Sequence, residues 1–575
     1  MHGLFGTIGA RATWNFTYFE KGHYIRRAFD DGVFHVDQIT LPKFLNDKYF
    51  YDDGAYFLAT EGVLFEADSP QESIARYLQG EEVFWNHWRG SFCGVFYDRH
   101  NDTLLLFNDQ VGSKMLFYTQ AGGDWFFSSD LPILTEQLCL RTLPTYNEQF
   151  GWSMLTFGYS PIDETPIAGV HRLQAGQYVR VRGRQAETCT YHRFSNTPNH
   201  LSEQSNIEQI EVLFRQAVQR VIDKNRQYGL RHTAALSAGL DSRMSVCIAR
   251  EITDEPIDVV TYSQRGFYDE YVPKEIASAW DLQMHFTPLD GGDYLRPIDR
   301  INRLTGGIIC YGGSAQVADG FRAIDAEQAG VVLTGMIGDI IINSRHKKDV
   351  PVYHGLGALS TRHLHKTHAL TASLQGLFPA QELYYLYVRG FNCADLGSPL
   401  ILQTIGESYS PFYDVDLLQF CYSIPAAQRY NYRLYDRWIH TYHSQAEQWL
   451  HNGTRQIGKS IRTVHLFRRD IPLSDLPKRI LWYLFRKLHL YNFDQAKAGE
   501  SMNPMDDWYA HSPRLREDLD NYFARYIDLL DFSKELRQAA SDLYASGTMM
   551  EKTLVLTLLA SIHLNPLPAS DGNCG

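Results

Sequence analysis

The sequence predicts a chain of mixed class: an α+β first part with a mainly antiparallel sheet, then an α/β part with a parallel sheet and a helical C-terminal region. The 575 residues exceed the roughly 100–200 residues of a typical domain, so we expect two or more domains. Up to about residue 193, short apolar runs are separated by Gly, Asp and Asn, which is typical of antiparallel strands. After residue 206, strand-like and helical runs alternate, which indicates a parallel sheet covered on both faces.

The first part contains several short runs with strand character. They lie at residues 90–97, 103–107, 115–118, 125–127 and 178–181. The segment 195–205 is polar and poor in apolar residues, as an exposed linker between domains would be. The sequence therefore predicts a first domain over residues 1–194, a linker over 195–205 and a second domain over 206–575.

The second part begins with an amphipathic helix, because apolar residues between 207 and 221 recur at helical spacing. Strands are predicted at 233–236, 257–262, 284–287 and 330–333, and helices are predicted up to residue 250 and over 270–280. Beyond residue 360 the chain is predicted to be mostly helical.

Composition excludes several classes of protein. Acidic residues outnumber basic ones, 66 to 54, and the net charge of −12 disfavours generic nucleic-acid binding through phosphate contacts. No window reaches the roughly 18–20 apolar residues of a membrane span, and the first residues lack the features of a secretory signal. The eight cysteines are scattered and predict neither a disulfide framework nor a zinc cluster. We expect a cytoplasmic protein with no integral membrane association.

A candidate phosphate site lies where the strand at 233–236 meets the following helix, in the segment LSAGLDS at 236–242. Small residues allow a phosphate close to the backbone amides, and the hydroxyls of Ser237 and Ser242 can donate hydrogen bonds. Asp241 would repel a phosphate directly, so its presence makes sense only with a bridging Mg²⁺. The alternative is a tight turn that merely begins a helix.

The same segment resembles the pyrophosphate loop of the ATP pyrophosphatases, and nearly the whole chain resembles the asparagine synthetase family. The opening MHGLFG (1–6) is similar to that family's amidotransferase start. Further similar motifs are GSFCGVFYD (90–98), NDQVGSKMLFY (108–118), FSSD (127–130), TGMIGD (334–339) and PFYDVD (411–416). Each motif is short, and their order and spacing make the resemblance specific.

The resemblance implies an Ntn-hydrolase-like domain followed by an ATP-pyrophosphatase domain that uses ATP and Mg²⁺. Asp241 and Asp339 would hold Mg²⁺ against the pyrophosphate, which the loop of Ser237, Ala238, Gly239, Leu240 and Ser242 would bind. Backbone groups of Ala235, Leu236, Ser263, Thr334 and Gly335 would hold the adenosine. A carboxylate would attack the α-phosphate of ATP, and an amine would then displace AMP from the acyl-adenylate.

Several positions depart from the family pattern. Glutamine-dependent members use an N-terminal cysteine that removal of the initiator methionine exposes, whereas position 2 is His2, and Glu61-Gly62-Val63 stands where Asn-Gly-Glu is usual. We therefore expect a first domain without glutaminase activity. Met336 replaces a glutamate of the second ATP motif, which makes aspartate a doubtful substrate. Ala238 replaces a glycine and fits only if the loop needs no positive φ there.

The family's late lysine, which neutralises the adenylation transition state, has no direct counterpart. Arg433, in the segment 432–437, and Lys459 are the candidates, although each could equally be a surface residue. The segment 309–316 should wall the acceptor pocket. Tyr311 within it could help deprotonate an amine, or could be a buried tyrosine with a structural hydrogen bond.

Substrates and partners remain open. The acyl donor and the amine would be small molecules or peptides, and the product could be a macrolactam, a β-lactam-type ring or a sugar-acid amide. The alternatives are an asparagine synthetase that uses ammonia and a nucleotide-binding scaffold without activity. The basic segment 458–497 could bind an acidic partner or pack as an amphipathic helix. The sequence leaves open whether the protein is a homodimer.

Overall fold

The computed structural model describes residues 2–9, 12–19, 24–183, 185–394, 396–452, 455–457, 463–466, 469–472 and 501–567. It confirms the predicted class, with antiparallel sheets first, a parallel sheet second and a helical C-terminal region. Lys459 and the candidate docking side chains of segment 458–497 lie outside the described residues.

The first part is built on two six-stranded antiparallel sheets. Their orders are β10-β8-β9-β1-β3-β2 and β12-β11-β7-β6-β5-β4. Alternate residues such as Leu4, Phe57 and Val95 point between the sheets and are fully buried, as expected for period-two patterning. The elements are β1 Gly3–Ile8, β2 Ile25–Asp30, β3 Phe34–Thr40, β4 Phe50–Asp52, β5 Tyr56–Glu66, α1 Pro70–Leu78, β6 Arg89–Asp98, β7 Thr103–Asn108, β8 Phe117–Ala121, β9 Asp124–Ser128, α2 Leu131–Cys139, α3 Glu148–Phe157, β10 His171–Arg172, β11 Gln177–Arg182 and β12 Gln185–Thr190.

The second part contains a five-stranded parallel sheet of order β15-β14-β13-β16-β17. Its central strands are buried along most of their length because helices cover both faces. The elements are α4 Glu203–Gln227, β13 Arg231–Ala235, α5 Leu240–Ile252, β14 Ile257–Ser263, α6 Tyr268–Ala279, β15 Gln283–Pro288, α7 Ile298–Thr305, α8 Tyr311–Gly320, β16 Ala329–Leu333, α9 Gly338–Ile341 and, after further helices, β17 Glu407–Tyr409.

The rest of the second part is mostly helical, as predicted, and includes a π-helical stretch at Tyr385–Ala394. Its helices are α10 His368–Leu377, α11 Gln381–Tyr384, α12 Ser398–Leu402, α13 Val415–Ser423, α14 Ala426–Arg429, α15 Arg433–Tyr442, α16 Met505–His511, α17 Pro513–Tyr526, α18 Lys534–Ser546 and α19 Met549–His563, and a hairpin pairs β18 Thr463–Leu466 with β19 Arg469–Pro472. Within the described residues, no helix is both long enough and apolar enough to cross a bilayer.

Charged contacts join the two parts of the chain. Lys114 Nζ lies 2.5 Å from Glu407 Oε2, and both side chains are buried. Arg89 pairs with Asp416 at 2.8 Å. The polar segment between β12 and α4 also contacts the second part, because the backbone N–H of Asn199 donates to the carbonyl of Ser423 over 2.6 Å. The antiparallel sheets are thereby held against β17 and α13.

Candidate active site

A cavity of about 240 Å³ lies where β13 and β16 end and α5 begins. This is the carboxyl edge of the parallel sheet, where ligands bind in open α/β folds. The predicted site residues that line it are Ala235, Leu236, Ser237, Gly239, Asp241, Ser242, Thr334 and Gly335. The structure therefore brings residues from two distant motifs to one cavity.

Hydrogen bonds fix the loop at 236–239. The Asp269 carboxylate accepts from the backbone N–H of Ala238 over 2.7 Å, and the hydroxyls of Ser237 and Ser242 lie 2.9 Å apart. The buried Arg243 guanidinium donates to the carbonyl of Ala238 over 2.8 Å. Ala238 is buried and its backbone is not left-handed, so its methyl group fits the loop without strain. Ala238 and Leu240 shape the loop from behind rather than lining the cavity.

Asp241 and Asp339 meet at this loop. The Asp241 carboxylate accepts a hydrogen bond from the backbone N–H of Asp339 and another from the Tyr435 hydroxyl, over 2.9 Å. Gly338 permits the approach, since a Cβ there would stand 2.4 Å from Asp241 Cγ. Gly335 does the same on the other side, where a Cβ would stand 2.2 Å from the Ser242 nitrogen.

The electrostatics of the two carboxyls are unfavourable without a cation. Burial, and then the neighbouring charge of Asp339, raise the pKa of Asp241 to about 8. Desolvation by surrounding atoms also raises the pKa of Asp339, and the positive charge of Arg345 opposes this rise. The Asp339 residue as a whole is nevertheless exposed to solvent. Paired carboxylate oxygens are the ligands that Mg²⁺ prefers, and a cation would relieve this repulsion. The residues present therefore fit a Mg²⁺ ion.

The rest of the cavity is largely apolar. Its walls include Val260, Thr261, Tyr262, Val317, Phe321, Met336, Ser398, Leu402 and Met502. Met502 is held beside β14, because its carbonyl accepts from the backbone N–H of Gln264 over 2.9 Å. Ser263, expected to contact adenosine, is fully buried next to this wall. Its hydroxyl donates to the Gln264 carbonyl and its own carbonyl accepts from Leu289.

Tyr311 does not reach the cavity. It is fully buried, and its hydroxyl donates to the carbonyl of Leu295 over 3.0 Å. Burial raises its pKa well above the ordinary value. Of the two interpretations from the sequence, the geometry matches the structural hydrogen bond, and Tyr311 has no access to a substrate amine.

Arg433 also lies away from the cavity. Its guanidinium is exposed and pairs with Glu203 over 2.7 Å, and Arg437, one turn later on α15, pairs with the same carboxylate. The opposite face of α15 carries Tyr435, which contacts Asp241. The sequence analysis therefore identified the correct helix, α15. The helical phase, however, directs Arg433 and Arg437 away from the cavity.

His2 lies in a buried charged cluster of the first part. Its Nε2 is 3.7 Å from Glu61 Oε1, and Lys48 Nζ is 3.3 Å from the same oxygen. Burial, together with the charges of Lys48 and Lys114, lowers the pKa of His2 well below its ordinary value. His2 is thus buried in the first part, and its lowered pKa favours the neutral imidazole.

Comparison with known protein families agrees with this geometry. A glutamine amidotransferase domain model matches residues 49–192, and an asparagine synthase model matches residues 209–386. The amidotransferase match lies on the antiparallel sheets of the first part, and the asparagine synthase match lies on the parallel sheet of the second part. The asparagine synthase match spans the loop at 236–242 and the Asp339 motif, so both carboxylates fall within it.

The curated relatives of this chain are distant, and each match covers less than half of either protein. Putative glutamine-hydrolysing asparagine synthetases of Mycobacterium tuberculosis and Mycobacterium bovis are 26% identical over 232 residues, which is 38% of this chain and 34% of each relative. The amidase chyE of Penicillium rubens is 26% identical over 170 residues, 29% of this chain and 23% of that protein. The glutamine phosphoribosylpyrophosphate amidotransferase structure from B. subtilis aligns with 46% of this chain and 61% of its own, at 10% identity and a TM-score of 0.20.

Three residues of the site escaped the sequence analysis. Asp269 lies in the first turn of α6, a few residues after the neighbouring strand β14, so the rule that strand ends share one sheet edge could have indicated it. Tyr435 lies on the face of α15 opposite Arg433, so the helical phase could have indicated it once Arg433 was known to face outward. Arg345, whose charge acts on Asp339, stands six residues beyond it in a basic run, and only the fold shows that the run turns back toward the site.

Proposed function

We propose that this protein is an ATP-dependent amide ligase that adenylates a carboxylate, releases pyrophosphate, and transfers the acyl group to an amine. The observation that carries the proposal is the contact between Asp241, which lines the cavity on the carboxyl edge of the parallel sheet, and Asp339, whose backbone N–H donates to the Asp241 carboxylate. The asparagine synthase match, which includes both residues, supports the coarser assignment of an ATP-dependent ligase.

The residues of the chain would act as follows. Loop amides and the hydroxyls of Ser237 and Ser242 would bind the phosphates at the N-terminus of α5. Mg²⁺, held by Asp241 and Asp339, would neutralise charge on the phosphates. A substrate carboxylate oxygen would bond to the α-phosphorus as the bond to the β-phosphate oxygen breaks. The amine nitrogen would then attack the acyl carbon, AMP would leave, and the amine would lose a proton.

We infer that the amine does not come from glutamine. Glutamine-dependent members of the asparagine synthetase family use a cysteine thiolate where this chain has His2. His2 is a buried imidazole beside Glu61 and has no thiol. Cys93 on β6 lies opposite Glu61 of β5 in the antiparallel pair. Burial raises the pKa of the Cys93 thiol well above its ordinary value. A protonated, inaccessible thiol is a poor nucleophile. The amine would therefore be supplied by the substrate itself or by a second molecule.

Isotope exchange tests the proposal. With the correct acid, the enzyme should return labelled pyrophosphate into ATP in a Mg²⁺-dependent reaction, and Asp241→Ala should abolish the exchange. Exchange with aspartate alone would favour an ammonia-dependent asparagine synthetase. Nucleotide binding without exchange for any acid would favour an inactive scaffold. Release of glutamate from glutamine would contradict the inference about His2.

A further inference from the structure

Three cations follow α9, a few residues after Asp339. Arg345, Lys347 and Lys348, here called the basic rim, are all exposed. Within the described residues, no carboxylate pairs with any of them. In this respect they differ from many other arginines of the chain, such as Arg429, which is bound to Glu382 at 2.8 Å. In a protein of net charge −12, a group of exposed cations without a salt-bridge partner favours the binding of an anionic ligand.

Aromatic side chains hold two of these cations in place without neutralising them. The Arg345 guanidinium lies 4.5 Å from the centre of the Tyr385 ring and donates to the hydroxyl of that tyrosine over 3.1 Å. Lys347 Nζ lies 5.5 Å from the centre of the Tyr430 ring. Cation–π contacts of this kind orient a positive charge and leave it free to bind an anion. The basic rim is therefore partly preorganised.

The rim is connected to the metal-binding carboxylates. Asn343, just before Arg345, accepts from the backbone N–H of Tyr432 over 2.9 Å. Tyr432 precedes Tyr435, which donates to Asp241. The charge of Arg345 also opposes the rise in the pKa of Asp339. The rim is thus linked to Asp339 through α9, and it is linked to Asp241 through the start of α15.

The rim does not belong to the nucleotide cavity. Arg345 of the rim borders a separate small depression, which Asn343 and Tyr385 also line. Two acidic residues, Asp349 and Glu382, line it as well, and Glu382 is paired with Arg429. Among the described residues, this depression and the nucleotide cavity share no lining residue. The phosphate loop and Arg345 of the rim therefore border different depressions. A ligand on the rim would be a second molecule placed beside Asp339, not the triphosphate.

We propose that the basic rim binds the acyl substrate, and that this substrate is an acid carrying further anionic groups besides the carboxylate that reacts. This assignment rests on the proposed function. The non-reacting anionic groups bind Arg345, Lys347 and Lys348, which directs the remaining carboxylate toward Asp339 and the phosphates. Without the rim, the net negative charge of the protein would disfavour such a substrate.

Peptide binding tests the rim without requiring turnover. Tetraglutamate and tetraglutamine, each with one C-terminal carboxylate and an N-terminal zwitterionic rhodamine label, are titrated with the full-length protein saturated with Mg²⁺ and a non-hydrolysable ATP analogue. Fluorescence anisotropy should give at least about tenfold tighter binding of tetraglutamate, because hydrogen bonds to charged groups are the stronger ones. The preference should fall as salt rises.

Matched variants assign the preference to the rim. Arg345→Gln/Lys347→Gln/Lys348→Gln should remove it. Lys274→Gln/Arg514→Gln/Lys534→Gln changes the net charge equally at exposed positions elsewhere and should retain it. Equal loss in both triple variants, or equal binding of the two peptides to the unmodified protein, would overturn the proposal. So would a rim variant that weakens nucleotide binding but leaves tetraglutamate binding unchanged, since the cations would then serve the phosphates.

Isotope exchange separates this proposal from the proposed function. If acids support exchange, the rim variant should raise KM at least about tenfold for polyacidic acids, and this increase should exceed any change in KM for ATP. If no acid supports exchange, the proposed ligase activity fails, and the peptide titration still decides whether the rim binds polyanions. If the triple variant folds poorly, Lys348→Glu takes its place, because it reverses one charge at an exposed position. We expect Lys348→Glu to show the same loss of tetraglutamate binding.

Discussion

The backbone N–H of Asp339 donates a hydrogen bond to the carboxylate of Asp241. These residues are far apart in the chain, at the start of α5 and in α9, and the parallel sheet places both at one edge. Their carboxyl groups raise each other's energy when both are charged. A bound cation between the two carboxylates would relieve this repulsion.

Gly338→Ala should disrupt this pair. A Cβ at position 338 would stand 2.4 Å from Asp241 Cγ and 2.6 Å from Phe412 Cζ, closer than packed atoms allow, so the Asp241 side chain must shift. We expect pyrophosphate exchange to fall by more than about tenfold, because a small misplacement of a catalytic group has a large effect on rate.

Gly376→Ala is the control for that substitution. Gly376 lies in α10, and an added Cβ meets no other atom within 4 Å. The change should leave exchange intact and raise helix stability by about 0.8–1 kcal/mol. Equal exchange rates in the two variants would argue against a close Asp241–Asp339 contact.

Tyr435→Phe should remove the hydroxyl that donates to Asp241 over 2.9 Å. A hydrogen bond to a charged group contributes about 1.5–3 kcal/mol, so we expect kcat for exchange to fall at least about tenfold while KM for the acid stays within about twofold. Tyr442→Phe, on the exposed part of the same helix, is the control. A rise in KM alone would contradict a role in positioning Asp241.

Arg433→Gln should have little effect on catalysis. The guanidinium is exposed and pairs with Glu203, and exposed ion pairs contribute about 0–1 kcal/mol. We expect kcat and KM for ATP to stay within about twofold of the unmodified enzyme in the exchange assay. A loss of a hundredfold would instead support the original expectation that Arg433 stabilises phosphate charge.

His443 should make stability depend on pH. It is fully buried between Glu211 and Glu251. Burial opposes its charge, but Cys247 and the two glutamates together raise its pKa to about 11. The folded state therefore keeps a proton that the unfolded chain loses above about pH 6.5. The stabilisation is complete below that pH and is lost as the pH rises toward 11.

Thermal unfolding at pH 7 and pH 9 measures this effect. One extra proton in the folded state over two pH units corresponds to about 2.5 kcal/mol of lost stability, so the midpoint of the unmodified protein should fall. His443→Gln should begin lower at pH 7 and change less between the two pH values. The exposed His440→Gln should retain the full slope, and an unchanged slope in His443→Gln would refute the assignment.

Much of the fold could be predicted because its strands are apolar runs with clear ends. The predicted strand at 257–262, for example, corresponds to β14, Ile257–Ser263. β17 was missed because its three residues, Glu407–Tyr409, carry no pattern of their own and are ordered by pairing with β16. The buried charge of Glu407 is matched by Lys114 from the first part, a contact invisible in either local sequence.

The candidate site was predictable as far as motif and topology define it. The phosphate loop and the Asp339 motif lie at strand ends, so both could be placed on one sheet edge. Side-chain direction could not be obtained in this way. Tyr311 and Arg433 lie on elements near the site, yet the packing of α8 and the phase of α15 turn them away. Residue type and neighbourhood alone do not distinguish inward from outward faces.

Binding of Mn²⁺ with ATP, followed by electron paramagnetic resonance, tests the central claim most directly, because Mn²⁺ prefers the same oxygen ligands as Mg²⁺. Asp241→Asn, Asp339→Asn and the double variant are compared with the unmodified protein. If the two carboxylates share one ion, each single variant should weaken ATP-dependent Mn²⁺ binding nearly as much as the double variant. Unchanged Mn²⁺ affinity in both single variants, with ATP still bound, would contradict the account.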